Sequence, residues 1–290
     1  MIRISQWLLG LVLVITLPSH ALTVHDDLGN SITLDTPAQR IVSLAPSITE
    51  NLFAIGAGTR VIGTSSSSDY PEAAKTIPII ADYQSINLEA VAALRPDIII
   101  AWQGGNSSAQ LAALAQLHIP VYFQKIHTLP EIPLSLMRLA QLTGLEKDAA
   151  PSIVNAYSKI TLLHDAPQPN LSAFYQVWHS PLMTLNRDSW INDALSRCGA
   201  TNLFADLPIT APTVNLETVL QKNPALIITA SPNGIANHDL DMWHKWTNLN
   251  AIVRHGLLFT DADSMNRATL RTLDAAQKMC ADIATVRTQI

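Results

Sequence analysis

The stretch Ile86 to Trp102, INLEAVAALRPDIIIAW, recurs as Val214 to Ala230, VNLETVLQKNPALIITA, aligned without a gap so that Glu89 matches Glu217 and Pro96 matches Pro224. Each copy holds Asn-Leu-Glu, an apolar helical turn, a Pro and a β-rich run. Solenoid units recur every few tens of residues and stack on immediate neighbours. A repeat spaced by nearly half the chain predicts two similar lobes instead, with the function between them.

The chemistry of each copy is legible. Asn87 and Asn215 are of a type that caps a helix by accepting from an orphan N–H, and the Glu two positions on sits where the helix dipole favours negative charge. The prolines are placed to end the helices. Ile98-Ile99-Ile100-Ala101 and Leu226-Ile227-Ile228-Thr229 then read as parallel strands buried on both faces. Residues after such strands lie at the carboxyl edge of the sheet, where open α/β folds bind ligands. That places Trp102-Gln103-Gly104 and Ser231-Pro232-Asn233 at a candidate crevice.

The rest of the chain extends this pattern. Met1-Ile2-Arg3, an apolar run from Trp7 to Leu17 and small residues up to Ala21 form a secretory signal, too short to span a bilayer and predicted to be cleaved after Ala21. No Cys follows it for lipid attachment, so the expected location is the periplasm. Residues 22–144 read as an N-terminal α/β lobe and 167–290 as a C-terminal one. Residues 145–166 read as an interlobe helix, whose rigid part is expected to begin near Ala150 because Pro151 is tolerated only near a first turn. The fold class is α/β, two Rossmann-like lobes with parallel sheets joined by one long α-helix. Val24 to Leu34 reads as a hairpin, and Ser47 with Glu50 as a capping box. Ser65 to Ser68 is a polar loop at a strand end, either a solvated linker or a row of hydroxyls for a polar ligand.

With 48% hydrophobic and 14% charged residues the chain is globular, and a net charge of −5 argues against nucleic acid as a partner. Cys198 and Cys280 are the only cysteines. They form one structural disulfide or remain two buried thiols, and an oxidising compartment favours the bridge.

RIVSLAPSITENLFAIGAG, VIGTSSSSDYP, INLEAVAALRPDIIIAWQGGN, LHIPVY, CGATNLF and VNLETVL together resemble the periplasmic substrate-binding proteins with a helical backbone, which serve importers of cobalamin, iron siderophores and haem. SSSSDYP, AWQGGN and the two cysteines are most similar to the cobalamin-binding branch. The resemblance implies a corrinoid-like ligand in the interlobe cleft, the Cys198–Cys280 bridge, and delivery to an ABC importer permease dimer with its ATPase subunits. It also implies that Glu89 and Glu217 dock on permease arginines, whose planar forks bind carboxylates bidentately. Ligand contacts carry over to Ser67, Tyr83, Trp102, Met183 and Ala211, and to the loop Asp263, Ser264, Met265, Asn266 and Arg267. Several of these positions lack the aromatics of the branch: Ser67 stands for Tyr, Tyr83 and Ala211 for Trp, Met183 for Phe. Trp178 and Met265 are candidates to supply the missing apolar surface.

Two rivals share the backbone. A ferric siderophore or haem protein could draw on Arg267, Tyr83 and His179. A metal receptor would need grouped ligands, and only His238 and His244 beside Asp239 and Asp241 hint at one. No metal site and no cofactor are expected. An enzyme is not expected either: no nucleophile elbow, phosphate-cradling loop or H-E-x-x-H is present.

Overall fold

The computed structural model describes residues 21–163 and 170–289. The predicted leader up to His20 and the predicted lobe boundary at Pro167–Pro169 lie outside the described residues. Two parallel sheets dominate. The first contains β1 (Ile41–Ser43), β2 (Val61–Ser65), β3 (Ile79–Ala81), β4 (Ile98–Trp102) and β5 (Val121–Gln124), in the order β3-β2-β1-β4-β5. The second contains β6 (Leu171–Gln176), β7 (Ala200–Asn202), β8 (Leu226–Ser231) and β9 (Leu257–Asp261), in the order β7-β6-β8-β9. Strand order reverses between β1 and β4 in one sheet and between β6 and β8 in the other, the switch-point arrangement of doubly wound folds. A short antiparallel pair, Leu22–His25 with Ser31–Leu34, precedes the first sheet, and the Asp26 carboxylate accepts from the N–H groups of Leu28 and Asn30 in its loop.

The repeat is structural. The α-helices among the described residues are α1 (Pro46–Ala54), α2 (Leu88–Leu94), α3 (Ser108–Leu114), α4 (Glu131–Thr143), α5 (Glu146–Thr161), α6 (Trp190–Arg197), α7 (Leu216–Lys222), α8 (Asn250–Val253), α9 (Ala262–Met265) and α10 (Leu270–Thr288). The repeat helices α2 and α7 end alike, on a left-handed residue before the proline, Arg95 at φ 46° and Asn223 at φ 47°. The left-handed turn therefore stops each helix one residue before the proline can. The following strands are buried on both faces as expected. Ile98 and Ile100 of β4 enter one core cluster and Ile99 the opposite one; Leu226 and Ile228 of β8 likewise oppose Ile227.

The passage between lobes is α5, 16 residues or about 24 Å long. It starts at Glu146 and is already regular ahead of Ala150, where its rigid part is expected to begin, with Pro151 inside its second turn, where the ring forfeits one backbone hydrogen bond. Packing outweighs that loss. Ala149 and Ile153 belong to the core of the first lobe, whereas Ala156 and Ile160 belong to that of the second. Helix α4 runs the other way beside it, with Ile132 in the second core and Leu136, Leu139 and Leu142 in the first. The connection is thus an antiparallel helix pair embedded in both cores.

A disulfide joins Cys198, after α6, to Cys280 in α10, 82 positions apart. The predicted capping box at Ser47 and Glu50 is not formed. Helix α1 starts at Pro46 without a side-chain cap, and Glu50 is buried. Its carboxylate is drawn away by the other lobe, accepting from Arg271 Nε at 2.8 Å and Nη2 at 2.5 Å and from Thr269 Oγ1 at 2.6 Å. The paired carboxylate pulls the Arg271 guanidinium further up from its already high value. Arg271 also stacks on the Tyr70 ring at 3.9 Å, and Asn51 donates to the Ala268 carbonyl.

Candidate functional site

Both lobes line one cavity of about 310 Å³. From the N-terminal lobe come Pro46 and Ser47 after β1, Ser67 after β2, Trp102 at the end of β4, and Gln124 and Ile126 at the end of β5. Each sits at a carboxyl strand end, so the switch-point rule accounts for all six. From the C-terminal lobe come Trp190 at the start of α6, and Ala262, Asp263, Asn266, Arg267 and Ala268 around α9.

Local chemistry sets these side chains. Asn106 accepts from the Trp102 N–H at 2.8 Å and donates to the Leu44 carbonyl at 3.2 Å, tying the loop after β4 to the end of β1. A Cβ on Gly105 would stand 1.7 Å from the Trp102 ring, so only glycine lets the indole lie where it does. Ser67 takes a left-handed φ of 63°, which is rare outside glycine and turns its side chain outward. Two of the remaining loop hydroxyls meet neither expectation. Ser65 and Ser68 turn inward and join Ser43, Thr49 and Thr64 in a buried network of hydroxyl contacts at 2.8–3.2 Å.

Arg267 bridges the lobes across the cavity. Its Nη1 donates to Asp69 at 2.7 Å and its Nη2 to Asp263 at 3.2 Å, with the side chain only 13% exposed. The guanidinium holds the Asp69 carboxyl below the usual carboxylate range.

Of the ten predicted ligand contacts, Ser67, Trp102, Asp263, Asn266 and Arg267 line this cavity. Met265 does not: it is fully buried in the core of the second lobe, because α9 turns that side chain toward β8 and α10. Ser264 is bonded through its hydroxyl to Asp261, the cap of α9. Tyr83 projects into solvent at 84% exposure, while Met183 and Ala211 sit on an arm in which residues 210–214 run beside 182–186. Trp178 lies on that same arm, exposed, donating to the Ser180 carbonyl and stacked on His179. None of these four lines the cavity.

Ser231-Pro232-Asn233 is also displaced from the expected crevice. Ser231 is buried and donates to the Ile235 carbonyl, and the neighbouring strand end is filled by Gln176, which bonds to Trp243 and to the Asp239 carbonyl. The second lobe closes its own switch point with residues 232–243. Reasoning from the sequence missed Pro46, Ser47, Gln124 and Ile126, which the strand-end rule could have found, and Trp190, for which no local signal exists.

Glu89 and Glu217 are exposed in the first turns of α2 and α7, and neither has an ion-pair or hydrogen-bond partner among the described residues. Asn87 caps its helix by accepting from the Ala90 N–H, whereas Asn215 makes no side-chain cap. Each helix precedes a sheet strand and runs back against it, so both acids stand at the carboxyl edge of their sheet, the edge where the cavity opens. No group of three or more His, Cys, Asp or Glu among the described residues could hold a metal ion, and no described helix is long and apolar enough to cross a membrane. His238 instead bonds to Asp241 at 2.6 Å, which raises the pKa of this fully exposed side chain.

Comparison with known protein families matches residues 41–263 to the family described as periplasmic binding protein. The vitamin B12-binding protein of Vibrio cholerae is 37% identical over 248 residues, 84% of this chain and 88% of that one. That of Pectobacterium carotovorum is 36% identical over 250 residues, again 84% and 88%. Among solved structures, the periplasmic vitamin B12 binding protein of V. cholerae superposes with a TM-score of 0.80 at 33% identity, covering 87% of this chain and 98% of that one. A periplasmic haem-binding protein from Pseudomonas aeruginosa shares the fold, with a TM-score of 0.71 at 21% identity, covering 84% and 92%.

Proposed function

From its membership of the periplasmic binding protein family, we propose that this chain is the receptor of an ABC importer that captures cobalamin or a related corrinoid between its lobes. The observation that carries the ligand is the lining of the interlobe cavity. It combines two indoles with neutral hydrogen-bonding groups, Ser47, Ser67, Gln124 and Asn266, and its one cation is already held by two carboxylates. A corrinoid carries an apolar ring rimmed with carboxamides, which such a surface can pack against and bond. An anionic ferric siderophore asks for unpaired cations, and haem for an axial His or Tyr; the lining among the described residues offers neither. The whole ligand exceeds 310 Å³, so binding displaces the Asp69–Arg267 contact and parts the lobes, within the small range that a helix pair rooted in both cores allows.

Delivery then depends on Glu89 and Glu217, one free carboxylate on each lobe, facing arginines of a two-fold permease dimer. The leader carries the chain to the periplasm and is cleaved after Ala21. The receptor transports without transforming its ligand.

The test is a calorimetric titration of the purified mature protein with cyanocobalamin, cobinamide, haem and a ferric siderophore. Tight binding of the corrinoids with none of the others is expected. Tight binding of haem or the siderophore alone would replace the ligand and leave the receptor role standing.

A further inference from the structure

The branch this chain resembles is expected to hold its ligand with more aromatics than survive at Ser67, Tyr83, Met183 and Ala211, and the two residues expected to compensate, Trp178 and Met265, do not line the cavity. We propose that Trp190 is the missing ligand contact, closing on the corrin ring from the C-terminal lobe while Trp102 packs against it from the N-terminal lobe. This rests on the reading of the interlobe cavity as the corrinoid site.

Trp190 is the first residue of α6, directly after the Ser189 cap, which accepts from the Ile191 N–H at 3.2 Å. Its indole N–H donates to the Met265 carbonyl at 2.8 Å, and part of the ring packs on the core of the second lobe. Two consequences follow. The polar edge of the indole is satisfied within the protein, so what remains for the cavity is apolar ring surface. The ring is also fixed in place by a cap, a hydrogen bond and the core, and so loses little freedom when a ligand arrives. Trp102 is held from the opposite lobe by its seat over Gly105 and its packing on the first core. Both line the same interlobe cavity, so a ligand seated there meets an immobilised indole on each lobe. The burial of Met265 acquires a role here: its side chain fills the core while its carbonyl orients Trp190.

The experiment measures cyanocobalamin affinity by calorimetry for the wild type and for Trp190→Ala, Trp190→Leu, Trp190→Phe, Trp102→Ala and Trp178→Ala, with thermal unfolding of each. Leucine keeps apolar bulk at a position that also supports the core, so it separates binding from folding. Trp190→Ala and Trp190→Leu should weaken binding by about tenfold or more, as Trp102→Ala should, while Trp190→Phe stays within a few fold and Trp178→Ala is unchanged. A folded Trp190→Leu protein with wild-type affinity overturns the proposal, and so does a loss confined to Trp178→Ala. In both cases the wild type still binds the corrinoid and the receptor reading survives. A wild type that binds no corrinoid overturns the corrinoid reading of the cavity and this inference together, and leaves only the receptor role standing.

Discussion

In the N-terminal lobe the cavity is lined from the carboxyl ends of β1, β2, β4 and β5, around the point where strand order reverses. In the C-terminal lobe the corresponding point, between β6 and β8, is filled by Gln176, Trp243 and the chain around Asp239, and the cavity is lined from α6 and from α9 behind the edge strand β9. The lobes share a sheet plan, a helix carrying an exposed acid and a left-handed stop before proline, and they part at the cavity. The outward features are duplicated, as the proposed two-fold docking requires. The inward features differ, as the proposed capture of one asymmetric ligand between the lobes requires.

The sharpest test of the shared part is charge reversal. Glu89→Lys with Glu217→Lys should abolish corrinoid uptake in cells while calorimetric affinity of the purified protein stays unchanged; a fall in affinity would refute the docking role. The disulfide is present in one lobe alone. Reducing it, or replacing Cys198 and Cys280 by Ser, should cost roughly 4 kcal/mol in denaturant unfolding on the chain-entropy model. A single cooperative transition should persist, since α4 and α5 are rooted in both cores; two separate transitions would show that the lobes unfold independently.

A smaller loss is expected where the lobes grip each other. Glu50→Ala leaves Arg271 without its carboxylate, and because Arg271 is a quarter exposed the cost should be about 2 kcal/mol, below that of a fully buried pair. Gly105→Ala forces the Trp102 ring aside and should weaken corrinoid binding by up to about tenfold with little change in unfolding, which sharpens the contribution of the N-terminal lobe. The smallest effect concerns Asp69. Its carboxyl lies below the reference value of 3.8 because Arg267 holds the charged form. The stability from this contact is therefore full above pH 3.8 and is lost as the pH falls through the lower folded value. Asp69→Asn should remove that acid-limb dependence, leave the profile at neutral pH flat, and speed ligand association in stopped-flow measurements.

What was legible before any coordinates follows from local chemistry. The apolar runs at Ile98 and Leu226 must be buried on both faces, and the duplicated Asn-Leu-Glu segment has to start a helix at the same edge of each sheet. Two parallel-sheet lobes, exposed acids at Glu89 and Glu217, and Trp102 at a strand end come from that pattern, while Ser67 belongs to a separate polar loop after its own strand. The orientation of side chains outside regular strands could not be read in this way. Glu50 stands where it could cap its own helix and instead reaches Arg271 more than two hundred positions away, because a buried carboxylate takes the partner that neutralises it. Met265, expected at the ligand, is buried in the core, and Trp190, for which the sequence gives no signal, lines the cavity, for a similar reason. Whether an apolar side chain meets ligand or core depends on which lobe packs behind it, and packing between distant segments is a property of the folded chain alone.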